Sequence, residues 1–238
     1  MIGSSAVLPL AAHRLGASGW LTEDSPSLQG SVKASTARVR DRPPLPRAPE
    51  RPARRSRPLA GPELLEIQWR RATSYGLPYA GSLSEGTRLP TSGPDWVTWN
   101  PNQHAVPNAP WRLFGNERTI RTVLSVVSSY RAQDPDAPRV VVGDISLREG
   151  GPMDQHVSHQ NGLDVDVYYP RRDGELGAPT STGQVDRERA QDLLDRFVAA
   201  GAEMVFVGYT TGLTGPSAVV VPYPNHQDHM HVRFPNPG

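Results

Sequence analysis

Cysteine is absent from this 238-residue chain, and that absence excludes several classes of protein. A chain without thiols cannot be a disulfide scaffold, hold an iron–sulfur cluster, bind zinc through thiolates or use a cysteine nucleophile. Any metal bound here must therefore be held by histidine, aspartate or glutamate.

Long apolar runs and the commoner enzyme motifs are also missing. No run approaches the ~18–20 residues of a membrane span, so we predict no membrane-spanning segment. The sequence contains no HExxH, no GxSxG, no Walker loop and no dinucleotide-binding glycine fingerprint. The opening MIGSSAVLPLAA has a short apolar stretch but lacks the preceding Lys/Arg of a signal peptide, and is interpreted as a signal remnant or a misplaced start.

Positive charge is concentrated in one proline-rich stretch. Residues 33–58 contain nine Lys/Arg and two acidic residues, a local charge of +7, so the rest of the chain carries −6. Alternating proline and charge cannot bury a core, which predicts that residues 1–62 combine the signal remnant with a disordered Pro/Arg-rich linker. Residues 63–238 are predicted to form the folded domain. Its mildly acidic balance argues against a nucleic-acid partner.

Hydrophobic periodicity predicts an α+β fold with a mainly antiparallel central sheet, flanking helices and long loops. Residues 73–115, rich in Gly, Pro, Asn and aromatics, are predicted to be turns and irregular surface around short strands. Helices are predicted at 63–71, 116–133 and 186–200, and strands at 139–145, 163–169, 203–209, 217–222 and 229–234.

Strict alternation in residues 163–169 (LDVDVYY) bears on the chemistry. In a strand, Leu163, Val165 and Val167 lie on one face, and Asp164 and Asp166 on the other. Two carboxylates are therefore predicted side by side on a single sheet face.

Five of the seven histidines fall in two clusters, whereas His13 and His104 stand alone. The first cluster contains His156 and His159, and the second His226, His229 and His231. Imidazole and carboxylate donors suit zinc, and three protein ligands with one open position are typical of a catalytic site. The predicted loops would then surround a zinc site. Spacing alone leaves open that these turns are solvent-exposed polar sequence. A serine triad built on Ser158 is disfavoured because no elbow motif surrounds it.

Two spaced motifs, His159-x6-Asp166 and His229-x-His231, resemble the pattern shared by lysostaphin-type enzymes, D-Ala-D-Ala peptidases and the hedgehog signalling domain. Within that group the sequence resembles the penicillin-insensitive murein endopeptidase family. The closer match is carried by Gly143–Met153, Ser158–Val167 and the terminal His226-x2-His229-x-His231. The resemblance runs from about Tyr75 to Pro235.

The resemblance implies one Zn²⁺ per chain, bound by His159, Asp166 and His231. It implies that His229 is the general base for a zinc-activated water, and that His226 assists beside the water or the oxyanion. His156 matches a family histidine near the metal. Asp164 shares the strand face of Asp166 and is predicted to orient a ligand.

The resemblance also implies a substrate, the D-alanyl to meso-diaminopimelyl cross-link of peptidoglycan, and hence a periplasmic or extracellular location. Trp96, Trp99, Trp111 and Tyr79 are candidates for lining the peptide groove. Two alternatives remain open: a D,D-carboxypeptidase or dipeptidase of the same group, and a metal-bearing cell-wall-binding domain without catalysis. The long basic N-terminal stretch lies outside the family pattern.

Overall fold

The structure is a computed structural model that describes residues 67–237. The predicted signal remnant and linker at 1–62 lie outside this range. The described residues form ten strands and two α-helices, in the order β1 (Thr73–Leu77), β2 (Ala80–Ser84), β3 (Thr87–Arg88), β4 (Trp96–Thr98), β5 (Phe114–Gly115), α1 (Glu117–Gln133), β6 (Val140–Val142), β7 (Asp164–Tyr168), α2 (Arg187–Ala199), β8 (Met204–Val207), β9 (Val220–Pro222) and β10 (His229–Arg233).

Six of these strands form one mixed sheet in the order β4-β6-β7-β10-β8-β9. The inner pairs β6–β7, β7–β10 and β10–β8 are antiparallel. The outer pairs β4–β6 and β8–β9 are parallel. The α+β class fits this mixture of strands and two helices. The mainly antiparallel sheet is not confirmed, because the sheet is mixed, with an antiparallel centre and a parallel pair at each edge.

Both helices contribute to the main hydrophobic core together with one face of this sheet. Val165 and Val167 of β7 and Met230 and Val232 of β10 are all buried in that core. Ile120, Val123 and Val127 of α1 join Leu193, Leu194 and Phe197 of α2 there. Because side chains alternate along a strand, Asp164, Asp166, His229 and His231 lie on the opposite face of the sheet.

The two helices begin at side-chain caps. The Asn116 side chain accepts a hydrogen bond from the Arg118 N–H at the start of α1. The Asp186 side chain accepts one from the Arg189 N–H at the start of α2. Gly201 follows α2 at φ +88°, a conformation that favours glycine. These helices match the predictions closely because caps and apolar periodicity agree.

The predicted helix at 63–71 is wrong for the part that the structure describes. Residues 67–71 have no regular secondary structure. The Arg70 N–H donates to the Thr87 hydroxyl oxygen, and the Trp69 ring is covered by the Arg121 guanidinium at 3.8 Å. These long-range contacts replace the helical hydrogen bonds that the apolar spacing suggested. Among the described residues, no helix is long and apolar enough to cross a membrane.

Candidate active site and metal centre

The pairing of β7 with β10 builds the centre of the candidate site. In this antiparallel register Asp166 lies opposite His231, and Asp164 opposite Arg233. Directly opposed residues share a sheet face, so the acidic side of β7 meets the histidine side of β10. Asp164, Asp166 and His231 are all buried. Buried charged groups are stable only when they are paired, hydrogen-bonded or bound to a metal.

His159 reaches the same point from the loop before β7. Its backbone is left-handed at φ 66°, and its N–H donates to Asp164 Oδ2 at 3.0 Å. Its ring Nδ1 donates to the Ile145 carbonyl at 2.9 Å, which leaves the Nε2 lone pair free. The β1–β2 hairpin supports this loop, since the Gln160 N–H donates to the Pro78 carbonyl. A ring fixed through its second nitrogen is the usual arrangement of a metal-binding histidine.

Three electron-rich atoms converge at the centre. His159 Nε2 lies 3.3 Å from Asp166 Oδ1 and 3.1 Å from His231 Nδ1, and His231 Nδ1 lies 3.1 Å from Asp166 Oδ1. Ligands held at ~2.0–2.1 Å from a tetrahedral zinc ion lie about 3.3–3.4 Å apart. Lone pairs at such distances repel unless a proton or a metal cation lies between them. Burial alone would lower the pKa of His231, but Asp164 and Asp166 raise it to about 9, so this cluster attracts positive charge. The donor set therefore fits a divalent cation in both chemistry and spacing.

Asp164 connects the two histidines from behind. Besides the His159 N–H, it accepts hydrogen bonds from Arg233 Nε at 2.7 Å and Nη2 at 3.2 Å. Its Oδ1 also lies 3.4 Å from His231 Nε2, the ring nitrogen that faces away from the centre. Asp164 thus contacts the backbone of one candidate ligand and the ring of another.

His229 lies beside the convergent atoms. Its Nε2 is 3.7 Å from Asp166 Oδ1, farther than the candidate ligands, and its Nδ1 donates to Asp228 Oδ1 at 2.7 Å. A histidine oriented by a carboxylate through one nitrogen presents the other as a proton acceptor. Burial alone would lower the pKa of His229, but the carboxylates of Asp166 and Asp228 outweigh that effect and raise it.

His226 occupies the turn before β10. Its Nδ1 donates to the Pro224 carbonyl at 2.6 Å, and its ring lies 4.9 Å from that of His229. Burial and the neighbouring His229 lower the pKa of His226 to about 4, so the ring is neutral near pH 7. In this tautomer Nε2 is an acceptor.

A buried polar network fixes His156. Its Nε2 donates to Asp144 Oδ2 at 2.8 Å, and its Nδ1 lies 3.8 Å from Asp166 Oδ2. Arg112 donates to both oxygens of Asp144, and Asn108 to one of them. Burial alone would raise the pKa of Asp144, but the hydrogen bonds from Arg112, His156 and Asn108 lower it to about 2.

The structure brings all seven predicted site residues together on one face. Within the described residues, two overlapping groups have candidate metal-binding atoms within 4.8 Å of one another: His156–His159–Asp166 and His159–Asp164–His231. The three convergent residues His159, Asp166 and His231 include two members of each group. His104 is exposed and lies apart from this convergence, and His13 is outside the described range.

The sequence analysis missed three residues that position the site and assigned a wrong location to one tryptophan. It gave no role to Asp144, Arg112 or Asp228, although Asp144 and Asp228 stand inside the segments that carried the resemblance and Arg112 lies within its overall range. Asp228 immediately precedes His229, and that adjacency was the available signal. Trp96 is buried in the core and donates to the Pro90 carbonyl, so it does not line a groove. Trp111 and Tyr79 are exposed, and Trp99 is half-buried against Tyr168.

Comparison with known proteins adds the family. The search of curated proteins found no match. A family model described as penicillin-insensitive murein endopeptidase matches residues 74–202, which cover more than half of the chain. The match includes His156, His159, Asp164 and Asp166, together with the Arg112–Asp144 network, and ends before β8 and β10. The chain is a member of the penicillin-insensitive murein endopeptidase family, whose substrate is peptidoglycan.

Proposed function

We propose that this protein is a zinc metalloendopeptidase that hydrolyses D-alanyl to meso-diaminopimelyl cross-links in peptidoglycan. The observation that carries the metal assignment is the convergence of His159 Nε2, His231 Nδ1 and Asp166 Oδ1 within 3.1–3.3 Å of one another. Family membership supports the peptidoglycan substrate.

We assign His159, Asp166 and His231 as the residues that hold one zinc ion per chain. The nitrogen and oxygen donors are those zinc prefers, and three protein ligands leave a position for water or substrate. When bound, zinc supplies Lewis acidity that polarises the scissile carbonyl and acidifies water. Asp164 orients two of the ligands, since it contacts the His159 N–H and faces the distal nitrogen of His231.

His229 is the proposed general base. Asp228 accepts the Nδ1 proton of its ring, so Nε2 takes a proton from the attacking water and returns it to the leaving amine. The Asp166 carboxylate contributes to the raised pKa of His229. With a cation bound to Asp166 that attraction would be cancelled, and His229 would be neutral, as a base must be.

The remaining two histidines, His226 and His156, lie next to His229 and Asp166, respectively. Neutral His226 presents Nε2 as an acceptor because Pro224 takes its other proton, so it stabilises an oxyanion only after gaining a proton. His156 presents Nδ1 toward Asp166 because Asp144 holds its Nε2. His226 therefore orients water in the resting site, and His156 supports the carboxylate ligand.

Peptidoglycan as substrate places the working enzyme in the periplasm or outside the cell. Under this proposal the basic stretch at 33–58 belongs to a linker that precedes the folded domain at 63–238. Its net charge of +7 suits association with anionic wall material.

The test is digestion of purified cross-linked peptidoglycan, with the products resolved by mass. We expect the enzyme to convert dimeric muropeptides to monomers, to lose this activity with a chelator and to regain it with zinc. Release of terminal D-alanine from monomers, with dimers intact, would instead identify a D,D-carboxypeptidase. Zinc binding without any released product would indicate a wall-binding domain and overturn the proposal.

A further inference from the structure

A cleft opens beside the proposed catalytic histidine, and nothing in the metal chemistry uses it. Its lining includes Trp99, His104, Arg171, Thr180, Asn225 and Asp228. We call it the Arg171 cleft. We propose that it binds a free carboxylate of the peptide substrate through the Arg171 guanidinium. This inference rests on the proposed function and specifies how the same site selects its substrate.

The Arg171 cleft is continuous with the catalytic residues. Asp228 lines the cleft and also accepts the Nδ1 proton of His229 at 2.7 Å. The Tyr168 ring lies 5.5 Å from the His229 ring and 6.2 Å, edge-on, from the Trp99 ring. The cleft therefore borders both the carboxylate that orients His229 and the aromatic pair beside it.

The lining offers apolar surface, polar groups and one guanidinium to a peptide. Trp99, Ala178 and Pro179 offer apolar surface, whereas Asn225, Gln227, Thr180 and Ser181 offer amide and hydroxyl groups for peptide hydrogen bonds. Among the described residues that line the cleft, Arg171 is the only one with a permanent positive charge. Guanidinium groups bind carboxylates through paired hydrogen bonds, so Arg171 is the group that can receive a carboxylate. The one carboxylate of the lining, Asp228, is already hydrogen-bonded to His229.

Arg171 is held in position before any substrate arrives. It follows β7 closely, pairs in a β-bridge with Val185, and donates from Nε and Nη2 to Asp173. The Arg171 side chain is 18% exposed, whereas that of Asp173 is 48% exposed. Two of its five N–H groups are engaged by Asp173, and the other three have no hydrogen-bond partner among residues 67–237. Asp173 therefore orients the guanidinium and also competes with an incoming carboxylate.

The substrate of the proposed function carries such a group. Meso-diaminopimelate has two carboxyl groups and two amino groups, so a free carboxylate adjoins the amine that is released by cleavage. Converting that carboxylate to an amide removes the charge and leaves the scissile bond intact. A pair of substrates that differ only in this group therefore tests the cleft separately from the chemistry.

The experiment measures KM and kcat on soluble cross-linked muropeptide dimers, in the free-acid and amidated forms, for wild type, Arg171→Gln and Arg171→Lys. We expect Arg171→Gln to raise KM for the acid by about three- to tenfold with little change in kcat. Its KM for the amidated dimer should change by less than about twofold. Arg171→Lys should restore part of the loss, and Asp173→Asn should lower KM for the acid.

Arg88→Gln is the matched control, because it removes an exposed arginine outside the cleft. Melting temperatures show whether each variant is folded. Equal effects of Arg171→Gln on both substrates, or no effect on either, would overturn the carboxylate assignment while the proposed function stands. Failure of the wild type to cleave either dimer would overturn the proposed function, and this inference with it.

Discussion

The two faces of strands β7 and β10 carry opposite kinds of side chain. On one face Val165, Val167, Met230 and Val232 are fully buried against the helices. On the other, the same strands carry Asp164, Asp166, His229 and His231. The first face gains stability from apolar burial, whereas the second concentrates ionisable groups that repel one another unless they are paired or bind a cation.

The comparison shows how one short segment serves both stability and chemistry. Met230 lies between His229 and His231 in sequence, but its side chain is in the core and theirs are in the site. Substitutions at adjacent positions should therefore have separate effects. Core substitutions should change the free energy of unfolding, and site substitutions should change metal binding and turnover.

The largest effect is expected from Asp166→Asn. An amide replaces the carboxylate that meets both candidate ligand histidines, so zinc affinity should fall and cleavage of peptidoglycan should decrease by at least about 1,000-fold. Zinc content and muropeptide release measure the two effects. Asp195→Asn, an exposed change on α2, is the control. Full zinc occupancy in Asp166→Asn would show that the ligand assignment is wrong.

Arg112→Met should lower the free energy of unfolding by about 3–5 kcal/mol. The reason is that the buried Asp144 carboxylate then lacks the arginine that pairs with it. The pKa of Asp144 is lowered to about 2 in the folded protein, so its contribution to stability is complete above about pH 4 and is lost as the pH falls toward 2. The variant should lose this contribution. Chemical denaturation across that pH range would detect the change. If the free energy of unfolding of the variant depended on pH as in the wild type, the Arg112–Asp144 pair would not stabilise the fold.

Met230→Ala tests the opposite face. Deleting this fully buried side chain should lower the free energy of unfolding by about 2–5 kcal/mol, with zinc affinity nearly unchanged at temperatures where the variant is folded. Met230→Leu, which conserves volume, should cost less than about 1.5 kcal/mol. Urea titration and zinc titration on the same samples separate the two faces. A large loss of zinc affinity in Met230→Ala would show that they are coupled.

The smallest effect is expected from Tyr130→Phe. The Tyr130 side chain of α1 is buried, and its hydroxyl has no hydrogen-bond partner among the described residues. Removing an unsatisfied polar atom should leave stability unchanged or raise it by up to about 1 kcal/mol. A measurable loss in thermal unfolding would indicate that the hydroxyl has a partner.

Sequence reasoning located the site better than it located the sheet edges. The alternation of LDVDVYY and the i, i+2 spacing of His229 and His231 placed the acidic and histidine side chains correctly, because strand periodicity is a local property. The parallel edge pairs β4–β6 and β8–β9 depend on long-range pairing that no local pattern encodes.

The Arg112–Asp144–His156 network was missed for a related reason. Arg112 and Asp144 are separated by 32 residues, and only the folded chain shows that a guanidinium closes on that carboxylate. The helix predicted at 63–71 fails in its described part, residues 67–71, for the same reason. Apolar spacing there was overridden by the contact of Trp69 with Arg121, which lies on α1.

The most direct test of the central claim is a paired measurement of bound zinc and peptidoglycan cleavage in His229→Ala and His231→Ala. The two positions are neighbours on one strand face, but only His231 Nδ1 lies within 3.1 Å of both other candidate ligands. We expect His229→Ala to keep about one zinc per chain and lose cleavage, and His231→Ala to lose both. Loss of zinc from His229→Ala, or retention in His231→Ala, would contradict the assignment.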